Sequence, residues 1–270
     1  MINGLFSYSF LQYAAVACVL AGILGGICGV LVIEKKLVMM SGGIAHTAYG
    51  GVGLGYLLGI SPLLGAIAFS LGAAFGIGAL QKKGGQKADV LTAIFWSVGM
   101  ALGVLFIGLI DGYPPDINSY LFGNILAVSQ GDLWFLAGIT LLFLLFLRIF
   151  YDDLLATLFD SEFARVSGIR TAFLEYAVLI LIALSVVALI RVAGIILMLA
   201  QLTLPAACAG LLTKRLTTRL SLSAVLGVAF SLAGLILSYY LNVSSGAVIV
   251  LLSAAVYLIL LPFKQAIKNG

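Results

Sequence analysis

The sequence predicts an all-α fold, a polytopic bundle of transmembrane helices with eight or nine spans, on three observations. Of its 270 residues, 63% are hydrophobic and only 9% are charged, far outside the range of a water-soluble domain. The apolar residues gather in stretches of about 18 to 25, and at about 1.5 Å per helical residue each crosses a hydrocarbon core of about 30 Å. Strands of a membrane barrel would instead be about 10 residues long and alternating. Third, the basic residues sit in the gaps between every second pair of stretches, as cytoplasmic loops require.

Taken in order, the first segment is Leu11 to Ile33. The preceding MINGLFSYSF lacks the basic region and small-residue cleavage motif of a secretory signal, so this span is expected to stay in the protein. Val38 to Leu58 follows across the basic EKK turn, Glu34 to Lys36. Leu63 to Leu80 ends at QKKGGQK, Gln81 to Lys87, and Leu91 to Ile110 ends at the turn-rich DGYPPDINSYLFGN, Asp111 to Asn124. Leu133 to Phe150 leads into the basic stretch of Arg148, Arg165 and Arg170. Phe173 to Ile190 and Ala193 to Leu212 come next, separated only by Val192 and Arg191, the one basic residue at the opposite face. The loop TKRLTTR, Thr213 to Arg219, precedes Leu222 to Leu241, and Ala247 to Leu261 runs into Lys264 and Lys268. The bias places the N-terminus outside and the C-terminus in the cytoplasm, and with it goes an odd number of spans unless one segment is re-entrant.

Two segments carry polar residues that a bilayer penalises. On a helix, Gly42, His46, Tyr49 with Gly50, and Gly53 form one stripe whose floor is almost bare backbone, the kind of surface another helix approaches closely. His46 is the one histidine of the chain and projects into that contact. It is either a ligand on a pathway or a neutral imidazole donating one hydrogen bond across an interface. In the seventh segment Gly194, Gln201, Thr203 and Pro205 interrupt an apolar run, which marks either a pathway-lining, broken helix or a structural kink. Cys18, Cys28 and Cys208 lie in apolar segments without metal-site spacing and read as small buried hydrophobes. The net charge of +4 is explained by cytoplasmic loops and membrane lipid rather than by nucleic acid.

The motifs MMSGGIAHTAYGGVGLGYLLG, DINSYLFGNIL, FDSEFARVSGI, LTLPAACAGLLT and LSYYLNVSSGAVIVLL occur in this order. Together they resemble the ABC-3 family of permeases, the membrane subunits of ATP-binding cassette importers for zinc and manganese, over essentially the whole chain. The resemblance implies one transmembrane permease domain over 1–270, in the cell membrane, importing a divalent metal. It also implies a cytoplasmic ATPase partner, an extracytoplasmic metal-binding protein and a homodimer. The family usually carries an aspartate four residues before the histidine; here that position is Gly42, and Asn242 and Ser244 replace the late aspartate and proline. His46 is then left as the candidate metal ligand, and imidazole without carboxylate favours zinc first and manganese second.

No phosphate-binding G-x-x-x-x-G-K-[ST] loop occurs, so the chain is not expected to bind and split ATP itself; the resemblance implies a permease subunit that is no enzyme, binds no cofactor of its own, and leaves ATP to the partner. Two cytoplasmic loops are candidates for coupling to that ATPase: one holding Glu162, Arg165 and Gly168, the other Leu212, Thr213, Lys214, Arg215 and Leu216. The resemblance to siderophore and vitamin B12 permeases favours the second. On the outer side, Asp132 and the Asp111 to Asn124 loop are expected to meet the binding protein or the incoming cation. A secondary transporter would need acids near the midplane, whereas Glu34, Asp89 and Glu175 lie close to predicted cytoplasmic ends; a passive channel remains the other class. An intramembrane serine protease would lack the G-x-S-x-G setting.

Overall fold

The computed structural model describes residues 9–84, 88–110, 123 and 125–269. Among the described residues the regular structure is helical. The helices are α1 (Ser9–Glu34), α2 (Val38–Leu57), α3 (Pro62–Gly84), α4 (Ala88–Gly108), α5 (Gln130–Phe159), α6 (Ser161–Val166), α7 (Thr171–Leu212), α8 (Leu216–Leu241) and α9 (Ser245–Asn269), with a 3₁₀ turn at Ile125–Ala127. Among the described residues seven helices, α1, α3, α4, α5, α7, α8 and α9, are long and apolar enough to cross a membrane. The predicted second span, α2, falls outside that set because six of its 20 residues are glycine, which adds length without hydrophobicity.

The predicted sixth and seventh segments form one 42-residue run, α7. The run is interrupted at Gly194 (φ 75°, ψ 170°), a backbone conformation that only glycine adopts without strain. The irregularity expected of this stretch therefore sits at Gly194, while the helix continues through Pro205. Helices also outrun their apolar cores: α5 extends to Phe159, bending at Phe150, and α8 begins at Leu216. Polar residues extend a helix as readily as apolar ones once its core is anchored.

Turn chemistry sets several boundaries. Gly59 is left-handed (φ 66°) and Ile60 N–H donates to Gly55 O at 3.0 Å, closing α2 in a Schellman turn. Pro62 then opens α3 at the position where a missing N–H costs nothing. At the end of α8, Asn242 takes the left-handed conformation (φ 56°), one a short polar side chain tolerates. Val243 N–H donates back to Ser238 O at 3.3 Å, and Ser238 Oγ donates to Val243 O at 2.7 Å.

The chain divides into two compact units. The first comprises Met1–Ile33, Asp116–Thr140 and Ala188–Gly270. In it α1 packs by glycine on two sides. Gly22 and Gly26 lie against the α8 backbone at Gly227, Val228 and Ser223, and Gly25 and Gly29 against the α7 backbone at Gln201 and Leu202. Ser223 Oγ donates to Gly26 O at 2.8 Å across the same contact. Without water to drive association, such close approach and interhelical hydrogen bonding are what hold membrane helices together. The second unit comprises Glu34–Pro115 and Leu141–Val187, and in it α2 packs against α3 and α4.

Candidate functional site

In the second unit α2 is closed in. From Met40 to Gly53 every residue is buried except His46, which is half-buried. The predicted stripe is partly used up within the chain itself. A Cβ on Gly50 would lie 2.7 Å from Gly99 O, one on Gly53 would lie 2.8 Å from Gly103 O, and the Tyr49 ring covers Gly103. The closely approaching helix is therefore α4 of the same chain. Thr47 Oγ1 ties the two helices, donating to Gly43 O at 2.8 Å and to Phe95 O at 3.0 Å. Gly42 is buried beside this seam.

His46 stacks on Trp96 of α4, with ring centroids 4.0 Å apart and planes 15° from parallel. Its Nδ1 is buried and has no hydrogen-bond partner. The interfacial hydrogen bond weighed from the sequence is thus not made by Nδ1, and the imidazole contacts an aromatic face instead. Among the described residues no group of three or more His, Cys, Asp and Glu side chains is placed to hold a metal ion. A lone imidazole suits transient contact with a passing cation better than storage, since a tetrahedral zinc site takes four ligands. Sequence reasoning missed Trp96, which lies 50 positions from His46 in an apolar run where nothing distinguishes it from lipid-facing neighbours.

The other predicted pathway residues lie in the first unit. Gln201 is 3% exposed; its Nε2 donates to Ser231 Oγ, which donates on to Gly227 O at 2.7 Å, while Gln201 Oε1 is buried without a partner. Thr203 Oγ1 donates to Leu199 O at 2.7 Å within its own helix. Pro205 cannot donate to the carbonyl four residues before it, that of Gln201. That same carbonyl faces Gly25, whose added Cβ would stand 3.1 Å from the oxygen. The three cysteines are free and buried, as read from the sequence, and Cys18 Sγ donates to Ser231 O at 3.6 Å.

At the predicted outer end, Asp132 is already engaged. Its Oδ1 accepts from Arg191 Nε at 2.9 Å and from Nη2 at 2.6 Å, and its Oδ2 accepts from Ser129 N and Oγ in a capping box that starts α5. The carboxylate expected to meet a cation or a binding protein is instead paired within the chain. The rest of that expectation, residues 111–122 with Asn124, lies outside the described residues.

The two candidate coupling loops differ. Thr213, Lys214 and Arg215 form only a short connection between α7 and α8, with Arg215 N–H donating to Thr213 Oγ1 at 3.3 Å; Leu212 and Leu216 are the ends of those helices. Glu162 and Arg165 lie on α6, a separate helix capped at both ends. Asp160 Oδ1 accepts from Glu162 and Phe163 N–H at 3.0 Å, and left-handed Gly168 (φ 88°) turns the chain away. Ala164 is buried as its anchor, while Phe159, Phe163 and Val166 are 84%, 67% and 85% exposed.

Residues 7–264 match the sequence model of the ABC 3 transport family. The chain belongs to that family. An uncharacterized membrane protein of Synechocystis is 39% identical over 258 residues, covering 96% of this chain and 92% of its own length. The manganese transport system membrane protein of Listeria innocua is 35% identical over 269 residues, covering 100% of this chain and 95% of its own. The structure of PsaBC from Streptococcus pneumoniae in complex with Fab superposes with a TM-score of 0.89 at 34% identity, over 99% of this chain and 98% of that one. This ABC 3 chain is accordingly a multi-pass permease of the plasma membrane, and its part in transport is that of the membrane component rather than of an enzyme.

Proposed function

We propose that this ABC 3 permease forms the path of an importer that brings a divalent transition metal into the cytoplasm, driven by ATP hydrolysed on a separate ATPase subunit. The observation that carries the reading is His46, the one half-open residue in the buried stretch from Met40 to Gly53 of α2. Manganese is the first candidate, because the Listeria relative bears that name. Zinc, preferred on the imidazole alone, gains no support from the relatives and stands second.

The topology we adopt has nine spans, with the N-terminus outside and the C-terminus in the cytoplasm. In support, a straight helix of 42 residues would be about 63 Å long, twice a hydrocarbon core of about 30 Å. The break at Gly194 therefore serves as the turn between two passes, and α2 supplies another. The chain works as one permease domain, as a homodimer, and receives metal from an extracytoplasmic binding protein. It retains no cofactor; the metal is cargo. For coupling we favour α6 over the loop of Lys214 and Arg215, since α6 presents exposed Phe163 and Val166 from a capped, anchored helix, with exposed Phe159 just before it at the end of α5. Exposed apolar groups clustered outside a membrane mark a protein contact.

The test is uptake of manganese and of zinc by proteoliposomes holding this chain with its ATPase and binding protein, with and without ATP, for wild type and His46→Ala. ATP-dependent accumulation of one metal, lost in a normally inserted variant, is the expected result. Flux without ATP would point to a channel or secondary transporter, and full uptake by His46→Ala would remove the histidine from the path.

A further inference from the structure

We propose that Trp96 is a positioning residue of the cation pathway: its indole fixes the plane of the His46 imidazole and stabilises that ring when a cation binds at its open edge. The inference rests on the importer reading above and deepens it at the same place.

A cation binds an imidazole in the ring plane, along a nitrogen lone pair, so a group stacked on the face does not compete for it. The indole of Trp96 occupies that face, 4.0 Å away and 15° from parallel. Nδ1 is buried without a partner while the residue as a whole is half-open, so we assign the cation to the Nε2 edge. The register of the two rings is held by the residues next to them. Thr47 Oγ1 donates to Phe95 O at 3.0 Å, which pins the 46–47 step of α2 to the 95–96 step of α4. Loading the imidazole with a cation places positive charge against an aromatic face, and indole is the strongest of the aromatic partners for such charge. Among the described residues no group of three or more His, Cys, Asp and Glu side chains is assembled at His46 to share that charge. The π face of Trp96 supplies part of it without adding a ligand that would slow release.

The chain contains two tryptophans, and the other, Trp134, is 72% exposed at the start of α5. In a Trp134→Phe chain reconstituted in lipid nanodiscs, Trp96 is the sole indole emitter and needs no substitution of its own. Titration with zinc chloride, and separately with manganese chloride, should give a saturable change in that emission for at least one metal. The change should vanish in the His46→Ala background, which separates binding from collisional quenching by manganese. In the full transporter, Trp96→Ala should raise the half-saturating metal concentration for uptake by about two- to thirtyfold, with Trp96→Phe in between. Emission unmoved by either metal in a chain that imports one of them would overturn the assignment, as would unchanged half-saturation in Trp96→Ala. A His46-dependent emission change in a chain that imports neither metal would keep the assignment and sink the importer reading.

Discussion

Adding one methyl group at Gly50 tests how α2 is held. A Cβ built there stands 2.7 Å from Gly99 O on α4, where ordinary contact begins at 3.4 Å, so by difference the helices must part by 0.7 Å. Phe69 Cδ1 of α3 already lies at contact distance, 3.4 Å, from the same point, so little free space surrounds the added methyl. The atom it meets is backbone and cannot rotate away. Overpacking of this kind costs about 1–3 kcal/mol. Gly72 is the internal control: it lies inside α3, and an added Cβ meets nothing within 4 Å. There the same change should stabilise by about 0.4–1 kcal/mol through the unfolded chain. Heating the purified chain in detergent and measuring the monodisperse fraction that survives gives the comparison. Gly50→Ala should fall below wild type and Gly72→Ala should equal or exceed it; a Gly50→Ala midpoint at or above that of Gly72→Ala would refute the packing argument.

Other consequences can be checked in the same preparations. Arg191→Ala should lower thermal stability by about 1.5–3 kcal/mol, the range for hydrogen bonds to charged groups. In a double-mutant cycle most of that loss should disappear once Asp132 is already Asn. Gln201→Met removes one hydrogen bond to Ser231 but also a buried oxygen that has no partner, so stability should change by less than about 1 kcal/mol; if Gln201 lines the path, uptake falls regardless, and unimpaired uptake would remove it from the pathway. Phe163→Asp on α6 should reduce co-purification of the ATPase without lowering the stability of the chain alone, since Phe163 is 67% exposed. An unchanged yield of complex would move the coupling contact to the loop of Lys214 and Arg215.

The helices were legible in the sequence because a bilayer imposes their length, and even the weakly hydrophobic α2 was placed within a residue of its end. Their junctions were less so. Nothing in apolar periodicity distinguishes Phe173–Ile190 and Ala193–Leu212 as separate helices from one run broken at a single glycine, because no intervening polar loop exists. The stripe on α2 was visible as spacing, but spacing does not say which helix fills it. The contact with α4 depends on Gly99 and Gly103, whose small size registers only once Gly50, Gly53 and Tyr49 are opposite them. Asp132 shows the limit for charge: an acid near a predicted outer face reads as open to partners until Arg191, 59 residues later, is found beside it.

The two glycine faces of α1 also bear on how the protein is made. Gly22 and Gly26 need α8, and Gly25 and Gly29 need the second half of α7, so α1 is synthesised well before either partner of its glycine faces. From Gly29 to Leu202 is 173 residues, and at ribosomal speeds of about 5–20 residues per second the glycine faces of α1 wait roughly 9–35 s for the backbone that covers them. The helices between Val38 and Gly108 can pack on one another meanwhile. A chain cut short before Leu202 would leave these four glycines of α1 without the α7 and α8 backbone that covers them, so the packing of α1 reports on whether those later helices have arrived.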